Sequence, residues 1–180
     1  MKDTFNSNLC RRGYEGSLSS VDLCSVLLYA IIVQEVVHLF IRDLQKEDLP
    51  QLAGLYAQFW NEQSDVSKMS VAFDNIVAAN THILLCAEEN GRLLGSVMGV
   101  ICAELYGDCR PFLVIENMII DKTERRKGIG RLLLETLETR AKVRNCTQMI
   151  LVTEKNRTDA CAFYESFGFQ RDTTGYKKKV

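Results

Sequence analysis

Residues 112–135 read FLVIENMIIDKTERRKGIGRLLLE, and this stretch limits what the chain can fold into. Its first part, Phe112 to Asp121, is an apolar run of strand length. Its second part changes period: Ile129, Leu132, Leu133 and Leu137 recur at helical spacing. Arg131/Glu135 and Glu138/Lys142 sit four apart and support the same helix. A further apolar run, QMILVTE at 148–154, follows it. Strand, helix and strand at this separation predict a right-handed crossover with the two strands parallel.

The flanking segments give the rest of the architecture. HLFIRDL (38–44) alternates as a strand. Residues 46–62 carry Leu49, Leu52, Leu55, Tyr56, Phe59 and Trp60 at helical spacing, with Pro50 in the first turn, where proline is tolerated. A second helix is expected over 66–79, with Val71, Phe73, Ile76 and Val77 as its apolar set. Residues 82–105 predict two strands around Asn90-Gly91, a hairpin turn that accommodates positive φ. Residues 158–167 predict a short helix closed by Gly168, and 169–180 a last edge strand. The fold class is α/β, with a mixed sheet that is antiparallel apart from the crossover pair.

One residue sits oddly in this scheme. Glu116 interrupts the apolar run at 114–120, and burying an ionised carboxylate is costly unless it is paired or hydrogen-bonded. An ion pair with Arg42 or Arg110 at a strand edge is one explanation; a chemical task is the other.

The loop after this strand offers a context. Gly128 and Gly130 open a helix, and Arg125, Arg126, Lys127 and Arg131 surround the turn. Free amides and the helix dipole at such a start attract phosphate, and glycine lets it approach the backbone. The nucleotide-triphosphate loop is excluded, because no Gly-x-x-x-x-Gly-Lys-Ser/Thr occurs. The dinucleotide fingerprint is excluded too, since Leu133 stands where its third glycine belongs. Alone, Gly-x-Gly fits a plain helix start beside a solvated basic patch equally well.

Two motifs together go further. RRKGIG (125–130), after a strand and before an amphipathic helix, resembles the Arg/Gln-x-x-Gly-x-Gly/Ala signature of the GNAT superfamily, the acetyl-CoA-dependent N-acetyltransferases. NRTDACAFYESFGF (156–169) resembles that superfamily's late helix through Ala160, Phe163, Tyr164, Gly168 and Phe169. The resemblance covers about residues 38–178.

It implies the GNAT acyltransferase fold, a central mixed sheet whose parallel strand pair splays apart, flanked by helices. Acetyl-CoA is the implied co-substrate, and no metal is implied. Backbone groups of Met118, Ile119 and Ile120 would bond pantetheine. Arg125, Arg126, Lys127, Gly128, Ile129, Gly130 and Arg131 would hold the pyrophosphate, and Asn156 and Arg157 would add cofactor contacts. Tyr164 matches the family tyrosine that protonates the leaving thiolate; its bland reading is a core aromatic beside Phe163, Phe167 and Phe169. Glu116 matches a glutamate that some members, the glucosamine-phosphate N-acetyltransferases among them, use as base on the amine. Shielding by apolar neighbours would raise its pKa toward roughly 6–7, which suits that task. A backbone amide near Asn117–Met118 would face the acetyl oxygen; Asn117 itself falls on the other face of the pleat, with no role assigned.

The implied activity is acetyl transfer to a primary amine of a small molecule by direct attack in a ternary complex. A protein lysine or N-terminal acetyltransferase, and a non-catalytic acyl-CoA-binding module, are the alternatives. The acceptor site would form from the first two helices and the 105–111 loop. Glu62, Asp65, Asp74, Glu104 and Asp108 there would suit a cationic acceptor.

Composition sets outer bounds. A formal net charge of -1 gives no global pull toward nucleic acid or anionic membrane. Seven cysteines (Cys10, Cys24, Cys86, Cys102, Cys109, Cys146, Cys161) at wide spacing form neither a zinc pattern nor a disulfide framework. Several lie inside apolar runs and read as small buried hydrophobes, a reducing, cytoplasmic compartment is expected, and His38 and His82 read as structural. Residues 1–37 read as an N-terminal extension, helical or partly disordered, before a catalytic domain at 38–180. LCSVLLYAIIV (23–33) is too short to span a membrane. An amphipathic or dimer-forming helix suits it, which leaves a homodimer open; a natural start downstream, near Val36, is a further alternative.

Overall fold

The computed structural model describes residues 39–180. The expectations for residues 1–37, for the 23–33 helix and for His38 lie outside the described residues. The elements run β1 (Phe40–Asp43), a 3-10 turn (Lys46–Asp48), α1 (Leu49–Trp60), α2 (Val66–Ala79), β2 (His82–Glu89), β3 (Arg92–Cys102), β4 (Phe112–Ile120), α3 (Ile129–Val143), β5 (Met149–Ile150) and α4 (Thr158–Phe167). The sheet follows chain order, β1-β2-β3-β4-β5. Three antiparallel pairings lead to the parallel pair β4–β5 across α3. The expected mixed sheet and crossover are both present.

Two apolar clusters cover the two faces. On one, Leu133, Leu134 and Leu137 of α3 are fully buried against Leu85, Val97 and Leu113 of the sheet, with Phe163, Tyr164 and Phe167 of α4 beside them. On the other, Leu49, Leu52 and Leu55 of α1 pack on Cys86, Leu93 and Ile119, joined by Met69 and Phe73 of α2. Each buried leucine contributes about 2 kcal/mol by leaving water, so both helical layers are held by the sheet.

Local signals explain the joints. Asn90 (φ 51°) and Gly91 (φ 78°) both take left-handed geometry between β2 and β3, as a two-residue hairpin with strand-matched twist requires. The Asp65 carboxylate accepts from the amides of Ser67 and Lys68 and caps α2. Arg42 on β1 bonds Asp48 and Glu88, each at 2.6 Å, and ties the turn before α1 to β2.

The structure corrects several expectations. Residues 169–180 form no strand. The tail does pass Val152, which a Cβ on Gly175 would meet at 3.7 Å. The expected 148–154 strand reduces to Met149–Ile150, so it offers little edge for a further strand to extend. Leu132 is 40% exposed and Leu134 takes its place in the core; both lie within one helical turn, and the apolar stripe runs through the latter. Val71 and Val77 face solvent, because α2 touches the core through Met69 and Phe73 alone.

Candidate active site

The site begins where β4 and β5 part. They share two register positions, Leu113 with Met149 and Val114 with Ile150. β4 then continues to Ile120, while residues 151–154 carry no strand. The pair is joined at one end and open at the other. From Ile115 onward, the edge of β4 on that side has no strand beside it among the described residues.

A bulge sits at the mouth of this opening. Met98 of β3 pairs with Glu116 and Ser96 with Ile119, so Val97 alone opposes Asn117 and Met118. Asn117 makes the extra residue possible by adopting φ 51°, a left-handed geometry that asparagine tolerates better than most side chains. The bulge inverts the alternation of faces. Leu113 and Ile115 lie with the α3 cluster, but Ile119 lies with α1, and Met118 takes the α3 side. Glu116, next to the buried Ile115, is exposed on the α1 side. The shielding by apolar neighbours expected for it is therefore absent. Neither expected arginine pairs with it: Arg42 is held by Asp48 and Glu88, and Arg110 donates to the Asn145 carbonyl.

Met118 leads to Tyr164. The phenol oxygen lies 3.7 Å from the Met118 sulfur, and the ring packs against Phe163 and Phe169. Burial pushes the phenol pKa up, and the charge of Arg157 pulls part of that shift back. The raised value keeps the proton on the oxygen. On the segment after β5, the hydroxyl of Thr153 is buried without a hydrogen-bond partner.

The loop after β4 closes the other end. Gly128 caps α3 at φ 87° and no side chain bonds the free amides of the first turn. A Cβ on Gly128 would meet nothing within 4 Å, so the backbone borders open space. Gly130 differs: its Cβ would lie 3.2 Å from both Met118 Cε and Phe163 Cζ, so its smallness lets α3 close on the bulge and α4. Among the loop cations, Arg125 donates to the Ile120 carbonyl, Lys127 pairs with Glu124, and Arg131 donates to the Ser166 carbonyl. Arg126 is exposed at φ 64°.

Two residues of this site were not anticipated. Asp121, buried at the end of β4, accepts from Arg92 at 2.8 Å, Gln58 at 3.3 Å, and the Thr123 amide and hydroxyl. Burial alone would raise its pKa; these donors overturn that and hold the carboxyl well below the usual range. Gln58 of α1 also accepts from the Lys122 amide at 3.0 Å, so α1 holds the start of the loop. The sequence signal was weak: an aspartate closing an apolar strand reads as an ordinary strand end.

The acceptor-side acids are partly committed elsewhere. Asp65 caps α2, Asp74 pairs with Lys46 at 2.6 Å, and Glu104 accepts from the Leu105 amide.

The acetyltransferase (GNAT) family profile matches residues 40–169. The chain belongs to this family. A curated relative, the L-methionine sulfoximine/L-methionine sulfone acetyltransferase of Pseudomonas aeruginosa, is 27% identical over 143 residues, covering 72% of this chain and 79% of that protein. A candidate acetyltransferase from Agrobacterium tumefaciens superposes with a TM-score of 0.74 at 26% identity, covering 78% of this chain and 99% of the other. Glucosamine-6-phosphate N-acetyltransferase of Arabidopsis thaliana shares the fold, with a TM-score of 0.71 at 22% identity over 79% and 98% of the two chains. This GNAT chain shows no helix among the described residues long and apolar enough to cross a membrane. Among those residues there is also no cluster of metal-ligating side chains.

The co-substrate that this family implies fits the residues present. Pantetheine amides need a strand-like edge, and β4 leaves one open beyond Val114. Pyrophosphate needs free amides and close backbone approach, and α3 begins uncapped with open space at Gly128.

Proposed function

We propose that the chain is an N-acetyltransferase that moves the acetyl group of acetyl-CoA to a primary amine of a small molecule. The observation carrying this reading is the conjunction at β4: an opened edge, a bulge with Glu116 on one face and Met118 on the other, and Tyr164 against Met118. Residues 38–180 form the catalytic domain, and 1–37 are an extension to it.

Acetyl-CoA supplies an acetyl group activated as a thioester. Edge groups of Met118, Ile119 and Ile120 hold its pantetheine arm. The amides from Arg126 to Arg131, including Lys127, Gly128, Ile129 and Gly130, hold its pyrophosphate, with Arg125 beside them. Asn156 and Arg157, at the start of α4, add contacts. A free alkylamine is mostly protonated near neutral pH, its pKa being roughly 10. Glu116 removes that proton, directly or through water, from the α1 side of the sheet. The bulge takes Asn117 and Met118 out of register with β3, and an amide there faces the acetyl oxygen as its charge develops. As the C–S bond breaks, Tyr164, on the α3 side, gives its proton to the departing sulfur; the nitrogen's remaining extra proton leaves to water, and water reprotonates the phenol. The amine attacks the thioester carbon directly while both substrates are bound. The reading keeps base and acid on opposite faces of one strand, either side of the acetyl group.

The small-molecule acceptor is supported by the Pseudomonas relative, named for two amino acid analogues. The test is thiol release from acetyl-CoA across amines, aminoglycosides, amino acids and lysine peptides. Turnover confined to peptides would overturn the acceptor class. Tight acetyl-CoA binding with no turnover on any amine would overturn the reaction.

A further inference from the structure

Two arginines of the described residues are half-buried, Arg42 and Arg157. Arg42 spends its donors on two carboxylates at 2.6 Å. Arg157 has no carboxylate and no side-chain hydrogen bond among the described residues; its guanidinium carbon lies 4.7 Å over the ring of Phe59. Stacking on an aromatic ring engages the face of the guanidinium and leaves its N–H fork along the rim unengaged. That fork matches a carboxylate, which it binds through two parallel hydrogen bonds.

Its position indicates whose carboxylate. Arg157 precedes α4, yet it reaches Phe59 on α1, the helix of the face to which Glu116 belongs. Its charge is also felt by the Tyr164 phenol. The unengaged cation thus lies beside the mouth of the β4–β5 opening, on the acceptor's side. Building on the acetyl-transfer reading above, we propose that Arg157, stacked on Phe59, binds a carboxylate of the acceptor, so that the acceptor is an amino acid. Glu116 meets the amine and Arg157 the carboxylate, an arrangement complementary to a zwitterion. A single guanidinium matches a carboxylate monoanion; a phosphate dianion calls for more cations. A polycationic acceptor would face repulsion from Arg157. The backbone of residue 157 stays available to the cofactor, since only the side chain turns to α1.

The chain's single tryptophan reads this site. Trp60 packs edge-on to Phe59 at 4.8 Å, so its fluorescence responds to a ligand at Arg157. The full-length protein, saturated with coenzyme A, is titrated with glycine, L-methionine, L-lysine and 4-aminobutyrate, each against its own carboxamide and against 2-aminoethyl phosphate. At least one acid should bind about tenfold or more tighter than its amide, the size expected for a charge-assisted bidentate pair. Arg157→Gln should remove that preference while leaving amide affinities unchanged, and Arg157→Lys should restore part of it. Equal binding of acids and amides, no binding by any acid, or preference for the phosphate overturns the proposal. So does a loss of coenzyme A affinity in Arg157→Gln with the acid preference intact. Thiol release with acetyl-CoA separates the two readings. Acid-selective binding without turnover sinks the acetyl-transfer reading and keeps the carboxylate site; equal turnover of acids and amides does the reverse.

Discussion

The phenol of Tyr164 stands 3.7 Å from the sulfur of Met118, the second residue of the β4 bulge. The contact ties the late helix to the strand whose edge is open. It also sets a protonated oxygen beside the β4 bulge. If Tyr164 is the acid, Tyr164→Phe keeps the ring packing with Phe163 and Phe169 and loses only the proton. Turnover should then fall by roughly 10²–10⁴-fold, with acetyl-CoA affinity unchanged by calorimetry. Because burial raises the phenol's pKa, the wild-type rate should hold on the alkaline side up to or beyond the ordinary tyrosine value of about 10. A Tyr164→Phe variant as fast as wild type would return the residue to the core.

Glu116 lies on the opposite side of the same bulge, exposed and without an ion pair among the described residues. Replacing it with glutamine keeps its shape and removes its capacity to take a proton. The expected outcome is a lower kcat at neutral pH and a partial recovery as rising pH deprotonates the amine in solution. Acetyl-CoA affinity should stay at the wild-type value. A pH–rate profile that Glu116→Gln leaves unchanged in shape and height removes the base assignment.

Gly128 and Gly130 serve different ends, and the difference can be measured. Gly128 has φ 87° and open space beside it; Gly130 lies under Met118 and Phe163. Gly128→Leu should place a side chain where the phosphates approach the backbone and weaken acetyl-CoA at least about tenfold. Its left-handed geometry also costs roughly 1–2 kcal/mol of stability. Gly130→Leu should act first on stability, because its side chain collides with packed atoms. Calorimetry and thermal unfolding of the two variants separate these effects. Wild-type cofactor affinity in folded Gly128→Leu would remove the pyrophosphate assignment.

How far the sequence led can be judged residue by residue. The change of period between Ile120 and Ile129 announced strand, loop and helix, because both periods reflect the same buried face. The Asn90-Gly91 turn was equally legible, since few residue pairs take positive φ twice. The bulge was not. Its marker is Asn117, and asparagine in a strand has several readings; only the pairing of Val97 against two residues reveals the inversion of faces. Glu116 stands just before the bulge, exposed and without an arginine partner among the described residues. Arg157 was legible only as a neighbour of Asn156, since its ring partner Phe59 lies almost a hundred residues away in sequence. The expected last strand is missing because strand formation needs an edge, and β5 ends at Ile150.

Asp121 should make the loop sensitive to acid. It receives four hydrogen bonds, from Arg92, Gln58 and twice from Thr123, and its pKa lies below that of a free aspartate. A depressed pKa means that the folded state binds the proton less readily than the unfolded chain. The stability it contributes is therefore complete above the ordinary aspartate value of about 3.9 and is lost as pH falls through that value toward the folded one. Asp48, lowered by its bonds to Arg42, behaves alike, so the wild-type melting temperature alone does not isolate Asp121. The difference between wild type and Asp121→Asn does. At pH 7 the variant should melt below wild type, and the gap should narrow as pH falls below about 4. If the loop after β4 holds the pyrophosphate, the variant should also bind acetyl-CoA more weakly at pH 7, because Asp121 fixes Thr123 and Gln58 fixes Lys122 at the start of that loop. A melting gap that stays constant from neutral to acid pH would show that the carboxylate's charge is not what holds the loop.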